Sequence, residues 1–361
     1  MSPSLNDRLS AYADIAADLS VDAVALVPGP NFTRAVDHAF MSHERPFVLV
    51  IPARGPAAAL VPNLELGSWE LVGFDQTGYD DAFAALMQHL NISSLAVEGQ
   101  VMRVFVHHAL KKAQPDLRII DAEREISAPR MIKTEAEVAA LQKAIDISER
   151  ALRATLDSVK LGQTEKEIEQ KLVQMVFAEG ADDLSFAPIV AAGDGSARPH
   201  AKAREDYHVK AGDALLIDFG ARKDGFAADI TRTVFLTHVS DEGRAVYDTV
   251  LRANLAGLEA TRAGVTAHEI DDVVTGVLEA SPFADRIRTK TGHGLGRDVH
   301  EAPYIMRGNH MTLPAGTVYT NEPGLYEIGN FGVRIEDDVL ITEDGYKSLT
   351  NFPKELMVLP C

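Results

Sequence analysis

The sequence predicts an α/β N-terminal domain, residues 1–126, followed by an α+β domain, residues 127–361, whose two halves repeat one another. Three observations predict this. Amphipathic helical stretches alternate with short apolar runs along the first part of the chain, the pattern of a layered α/β domain. The segment Gly162-Gln163-Thr164-Glu165-Lys166-Glu167-Ile168 returns as Gly264-Val265-Thr266-Ala267-His268-Glu269-Ile270. Upstream, Arg150, Ala151, Ala154 and Leu156 return at the same offset as Arg252, Ala253, Ala256 and Leu258. Each repeat then carries one acidic pair, Asp218/Asp229 in the first and Glu322/Glu336 in the second.

Residues 5–19 are amphipathic and read as a helix, and Ala23–Val27 and Phe47–Ile51 as short buried strands. Trp69-Glu70 begins another apolar piece, 80–90 and 102–113 look helical, and Leu95–Val97 and Leu117–Ile120 add strands. Ser127-Ala128-Pro129-Arg130-Met131 reads as the linker, because proline disfavours helix before it. Thr134-Glu135-Ala136-Glu137 is a capping box that opens a helix running to about residue 158. Both copies of the repeated segment contain a further such box, so each half reads helix, turn, capped helix, then strands.

The 361 residues are 46% hydrophobic and 24% charged, an ordinary globular composition. A net charge of −18 argues against nucleic acid, whose phosphates demand a basic surface. Cys361 is the sole cysteine, which excludes a disulfide framework and a thiolate metal site. The start lacks a secretory pattern and no apolar run approaches the ~18 residues that span a bilayer, so a cytoplasmic protein away from membranes is expected.

The acidic pairs carry the chemistry. In ALLIDFGARKDGFAADITRT, a hairpin closing at Arg222–Gly225 would oppose Ala221 to Phe226 and Asp218 to Asp229. A reversal near Gly329 would oppose Glu322 to Glu336, although Pro323 interrupts that strand. Carboxylates held about 5 Å apart repel unless a cation or proton lies between them. Asp218 follows the apolar run Leu215-Leu216-Ile217, where an unpaired charge is costly. His293, in Thr-Gly-His-Gly-Leu-Gly, adds a nitrogen donor. Four carboxylates and one imidazole suit two divalent ions, with Mn²⁺, Co²⁺ and Zn²⁺ all compatible. Two such ions bridging a water lower its pKa from near 16 to about 7 and yield a hydroxide nucleophile. The acidic residues are too dispersed for a Ca²⁺ loop, and Gly292–Gly296 lacks the spacing and flanking strand and helix of a dinucleotide site.

LLIDFG, Asp-Ile-Thr-Arg-Thr, Thr-Gly-His-Gly-Leu-Gly, Asp298-Val299-His300-Glu301-Ala302-Pro303, Thr320-Asn321-Glu322-Pro323-Gly324 and Val333-Arg334-Ile335-Glu336-Asp337, in that order, resemble the pita-bread metallopeptidases. Within that group the chain is similar to the Xaa-Pro peptidases, prolidase and aminopeptidase P, which carry an additional N-terminal domain. The resemblance covers residues 127–361 and, in outline, the domain before them. It implies that Asp218 binds one ion, His293 and Glu322 the other, and that Asp229 and Glu336 bridge both. It implies that Glu322 carries a proton to the leaving proline nitrogen, that His200 contacts substrate, and that His300 donates to the carbonyl oxygen. Arg334 and Thr231 would each orient a ligand carboxylate. A homodimer is also implied.

Two positions depart from the family pattern: Asn321 stands where an aliphatic residue is usual, and Tyr304 where some relatives carry an arginine for a dipeptide's carboxylate. Arg34 and Arg45 in the N-terminal domain could clamp that carboxylate bidentately. The reading is therefore an Xaa-Pro dipeptidase, with an aminopeptidase acting on longer peptides as the alternative. A non-catalytic binding scaffold and a metal-free hydrolase of small C–N substrates are disfavoured, because all five ligands are present.

Overall fold

The computed structural model describes residues 4–68 and 79–361, so the apolar piece expected from Trp69-Glu70 lies outside the described residues. The chain divides into two compact units, Met1–Arg130 and Met131–Cys361. In the first, α1 (Leu5–Asp18), β1 (Ala23–Leu26), α2 (Pro30–Val36), β2 (Val48–Pro52) and β3 (Ala58–Leu60) are followed by α3 (Tyr79–Leu90), β4 (Ser94–Val97), α4 (Val104–Ala113), β5 (Arg118–Asp121) and α5 (Glu123–Met131). The sheet order is β3-β2-β1-β4-β5, antiparallel on the β2 side of β1 and parallel on the β4 side. Side chains alternate along a strand, so Ala23, Ala25, Val48 and Val50 pack under Phe83 and Leu86 of α3 and Leu110 of α4. Val24, Leu26, Leu49 and Ile51 face Tyr12 and Ala16 of α1 and Phe32 of α2. The result is a three-layer α/β unit.

The expected linker is instead the end of α5, which runs through Pro129. Proline there forfeits only one backbone hydrogen bond near a helix end, and Ile126, buried against the β1–β2 face, holds the helix in place.

The second unit begins with α6 (Glu135–Leu156) and α7 (Glu165–Ala178), then β6 (Asp183–Leu184), β7 (Ile189–Ala192), β8 (Ala214–Phe219), β9 (Ala221–Lys223), β10 (Phe226–Ala227) and β11 (Ile230–Leu236). α8 (Asp241–Ala260) and α9 (Ala267–Glu279) lead into β12 (Gly292–Gly294), β13 (Glu301–Ile305), β14 (Val318–Asn321), β15 (Gly324–Tyr326), β16 (Gly332–Arg334), β17 (Asp337–Ile341), β18 (Tyr346–Ser348) and β19 (Val358–Leu359). The capping boxes at Thr134/Glu137, Thr164/Glu167 and Thr266/Glu269 are all formed.

The repeat extends to individual hydrogen bonds. Gly162 N–H donates to the Val209 carbonyl at 2.9 Å and Gly264 N–H to Leu313 at 2.9 Å, while Val209 and Leu313 donate back to Gln163 and Val265, both at 2.8 Å. One sheet runs β7-β8-β11-β19; in the other, β12-β14-β17-β18 takes the same order, with β13 added outside β12. Ile168, Leu172 and Val176 of α7 pack on Val190, Leu215 and Ile217 in the first copy. Ile270 of α9 packs on Tyr319 and Val339 in the second.

Candidate metal centre

Asp218 is the penultimate residue of buried β8, and its partner across the β8–β11 ladder is Thr231, not Asp229. The reversal is a two-residue turn, with Lys223 opposite Phe226 rather than Ala221 opposite Phe226. Asp224 (φ 51°) and Gly225 (φ 77°) both lie in the left-handed region, as a tight hairpin turn requires. The slip of two positions from the four-residue turn keeps every side chain on its face. Asp218 and Asp229 are therefore diagonal neighbours. In the second copy Asn321 pairs with Asp337 and Gly324 with Arg334, which places Glu322 opposite Glu336 as expected.

His293 sits in β12, squeezed between β13 and β14. A Cβ at Gly292 would lie 1.7 Å from the Thr320 carbonyl oxygen and one at Gly294 2.2 Å from that of Ala302, so only glycines admit the two neighbouring strands. The flanking glycines thus fix where the imidazole points. Its Nδ1 lies 3.2 Å from the Gly294 carbonyl and takes the proton, which leaves the Nε2 lone pair facing Glu322 Oε1 at 3.3 Å and Asp229 Oδ2 at 3.7 Å. Burial, and then the neighbouring His300, pull this imidazole down to about 3, so it is neutral.

Asp218, Asp229 and Glu336 bring one carboxylate oxygen each within 4.8 Å of one another, and the imidazole nitrogens and carboxylate oxygens of His293, Glu322 and Glu336, and of Asp229, His293 and His300, converge as closely. Burial first, and then the charges of Glu336 and Asp218, push Asp229 well above the carboxylate range. Burial, then Glu322 and Asp218, do the same to Glu336, and burial pushes Glu322 up to about 7. Asp218 Oδ1 and Asp229 Oδ1 are buried without a hydrogen-bond partner. A neutral imidazole lone pair aimed at carboxylates, with unsatisfied oxygens beside it, fits divalent cations and little else.

A second layer holds these groups. Thr231 donates its hydroxyl to Glu336 Oε2 at 2.6 Å rather than to Asp229. Arg334 reaches across to Asp218, and also donates to Thr231 Oγ1 at 3.0 Å and to the Tyr326 hydroxyl at 2.8 Å. It thus orients Asp218 rather than Glu336, its neighbour in sequence. Asp338 Oδ2 accepts the Asp229 N–H at 3.2 Å, and the Thr320 hydroxyl accepts the His293 N–H at 3.1 Å. Sequence reasoning missed both. Alternation along Glu336-Asp337-Asp338 was the available signal for Asp338. Asn321 turns to α8, where its amide and that of Asn254 each donate to the other's backbone carbonyl.

His300 is exposed, its ring 4.1 Å from that of His293 and edge-on to it. Burial of part of the ring, then Lys290, hold it below the ordinary histidine value, and it also feels the charge of His200. His200 is exposed on the loop between β7 and β8. That loop is fastened by Arg204, whose Nε and Nη2 grip the two oxygens of fully buried Glu165 at 2.9 and 2.7 Å. In the N-terminal unit, half-buried Arg34 lies close enough to Tyr12 for its charge to act on the phenol, and Arg45 pairs with its neighbour Glu44 at 2.9 Å.

Residues 139–343 match the family model described as Metallopeptidase family M24, and residues 8–132 match the Creatinase/Prolidase N-terminal domain. A probable dipeptidase PepE of Mycobacterium bovis is 31% identical over 98% of this chain and 96% of its own length. A solved Xaa-Pro dipeptidase from Bacillus anthracis superposes with a TM-score of 0.92 at 28% identity, covering 99% of this chain and 100% of that one. An X-Pro aminopeptidase from Thermotoga maritima superposes at 0.84 with 32% identity, covering 96% and 98%.

Proposed function

Because the chain belongs to metallopeptidase family M24, we propose that it is a dinuclear metal-dependent exopeptidase that cleaves the bond between an N-terminal residue and proline, with dipeptides as substrates. The single observation that carries the metal reading is the neutral His293 lone pair converging with Asp218, Asp229, Glu322 and Glu336 around unsatisfied carboxylate oxygens. Asp218 would hold one ion and His293 and Glu322 the other, with Asp229 and Glu336 shared between the two. When bound, two such ions polarise the scissile carbonyl and supply a nucleophile at neutral pH.

The chain's own residues do the rest. Glu322, the most exposed of the five ligands (17% of its side chain), is the group placed to receive a proton and return it to the leaving proline nitrogen. His300 donates toward the carbonyl oxygen as charge develops there, and His200 contacts substrate beside it. Arg334 and Thr231 fix Asp218 and Glu336 so that no ligand must reorganise during the reaction.

Dipeptidase relatives at about 30% identity over most of the chain support the substrate class. The N-terminal unit is assigned to substrate access and assembly, with Arg34 and Arg45 as carboxylate contacts. Replacing either with alanine would then raise KM for Xaa-Pro dipeptides selectively; equal effects on Xaa-Pro-Pro tripeptides remove that role. A homodimer is proposed from the family resemblance and is tested by sedimentation, and a cytoplasmic location is proposed from the sequence pattern of the chain's start and its apolar runs. The deciding experiment is product analysis on Ala-Pro and Ala-Pro-Pro with added Mn²⁺, Co²⁺ or Zn²⁺. Asp229→Asn should remain folded and lose activity by orders of magnitude; full activity in that variant would sink the mechanism.

A further inference from the structure

The catalytic unit holds a cation that the metal centre does not use. Lys290 lies just before the Thr-Gly-His segment, is exposed, and carries its ammonium 4.4 Å from the centroid of the Tyr304 ring. Tyr304 is itself paired with His293 across β12 and β13, so the two side chains leave the same face of the sheet. The aromatic face therefore braces the ammonium beside the ligand histidine, an arrangement favoured by the ring quadrupole. Among the described residues no carboxylate lies within ion-pair distance of Lys290, and its charge is felt by Glu322 and His300. Arg334, also near the ligands, is already committed to Asp218, Thr231 and Tyr326. Two dications offset four ligand carboxylates, so the loaded centre leaves the charge of Lys290 uncompensated.

An Xaa-Pro dipeptide brings one group that longer peptides lack there. Its proline carboxylate is separated from the scissile carbonyl only by the proline nitrogen and α-carbon, so it must lie close to the centre. In a longer peptide that position is a neutral amide. We propose that Lys290, braced on Tyr304, adds a contact to the free C-terminal carboxylate of the substrate beyond those assigned above to Arg34 and Arg45, and so contributes to selecting dipeptides over longer Xaa-Pro peptides. The assignment rests on the Xaa-Pro reading above. It gives Tyr304 a role as the platform for the cation rather than as the carboxylate ligand itself.

The test compares Ala-Pro with Ala-Pro amide, which differ only in that charge, using the full-length Mn²⁺-loaded enzyme and its Lys290→Gln and Lys290→Arg variants. The wild type should prefer Ala-Pro. In Lys290→Gln the ratio of kcat/KM for the acid over the amide should fall about tenfold, through KM, as expected for loss of a charge-assisted contact at a partly exposed site. Lys290→Arg should keep most of the preference, because it keeps the charge. An equal loss on both substrates in Lys290→Gln would overturn the assignment while leaving Xaa-Pro cleavage standing. A wild type that cleaves neither substrate would overturn the Xaa-Pro reading and this assignment with it.

Discussion

Chelation should make the stability of this protein fall as pH rises, and the structure sets the scale. With no cation to offset them, the ligand carboxylates retain protons in the folded state that they give up when unfolded. Burial moves Glu322 from 4.5 to about 7. Below 4.5 it is protonated in both states; between 4.5 and about 7 only the folded state keeps the proton. The stability linked to this group is therefore full below 4.5 and lost as pH rises through about 7. At about 1.4 kcal/mol per tenfold difference in proton affinity, the full contribution is about 3 kcal/mol, an upper limit for a side chain that keeps 17% of its surface exposed. Asp229 and Glu336 are displaced in the same direction. For a unit of this size, about 3 kcal/mol corresponds to a Tm change of about 6–12 °C. Scanning calorimetry in excess chelator should show Tm falling by that order between about pH 4 and about pH 8. Saturating Mn²⁺ should flatten the dependence, and Glu322→Gln in chelator should melt above the wild type at the alkaline end. A chelated wild type with no such slope, or a Glu322→Gln variant that keeps all of it, would refute the electrostatic account of the site.

Three further perturbations probe the support around the ligands. Arg334→Met should weaken divalent-ion binding about 10–100-fold by titration calorimetry, because Asp218 loses the guanidinium that orients it; unchanged affinity would make Arg334 purely structural. Glu301→Leu strips the buried Lys133 ammonium of a carboxylate at 2.6 Å and should cost about 3–5 kcal/mol in denaturant unfolding, whereas Lys133→Met/Glu301→Leu together should recover much of it. Arg204→Ala removes the grip on Glu165 that fastens the His200 loop and should raise KM while leaving metal affinity within about twofold; a parallel loss of metal binding would show that the loop supports the whole site.

How much of this was legible from the sequence depended on whether local chemistry or strand register decided the matter. Capping boxes are local, and all three formed where Thr134, Thr164 and Thr266 announced them. The Glu322/Glu336 opposition was legible because the reversal centres on one glycine, Gly329, at φ 88°, and the pairs Asn321–Asp337 and Gly324–Arg334 bracket it in a single register. The first hairpin was misread because Arg-Lys-Asp-Gly offers both a four-residue and a two-residue turn. Only the backbone shows that Asp224 and Gly225 alone reverse the chain, making Thr231 the partner of Asp218. The site survived the error because a slip of two positions preserves the face, whereas a slip of one would have turned Asp218 away from Asp229. What stayed hidden was contact between elements distant in sequence. That Arg334 serves Asp218, that Thr231 serves Glu336, and that Lys290 rests on Tyr304 all require the β8–β11, β15–β16 and β12–β13 ladders to be in place first. The ligands themselves are cheap to read because burial makes an unpaired carboxylate conspicuous in any apolar strand. The residues that tune them are ordinary polar side chains until folding brings them together.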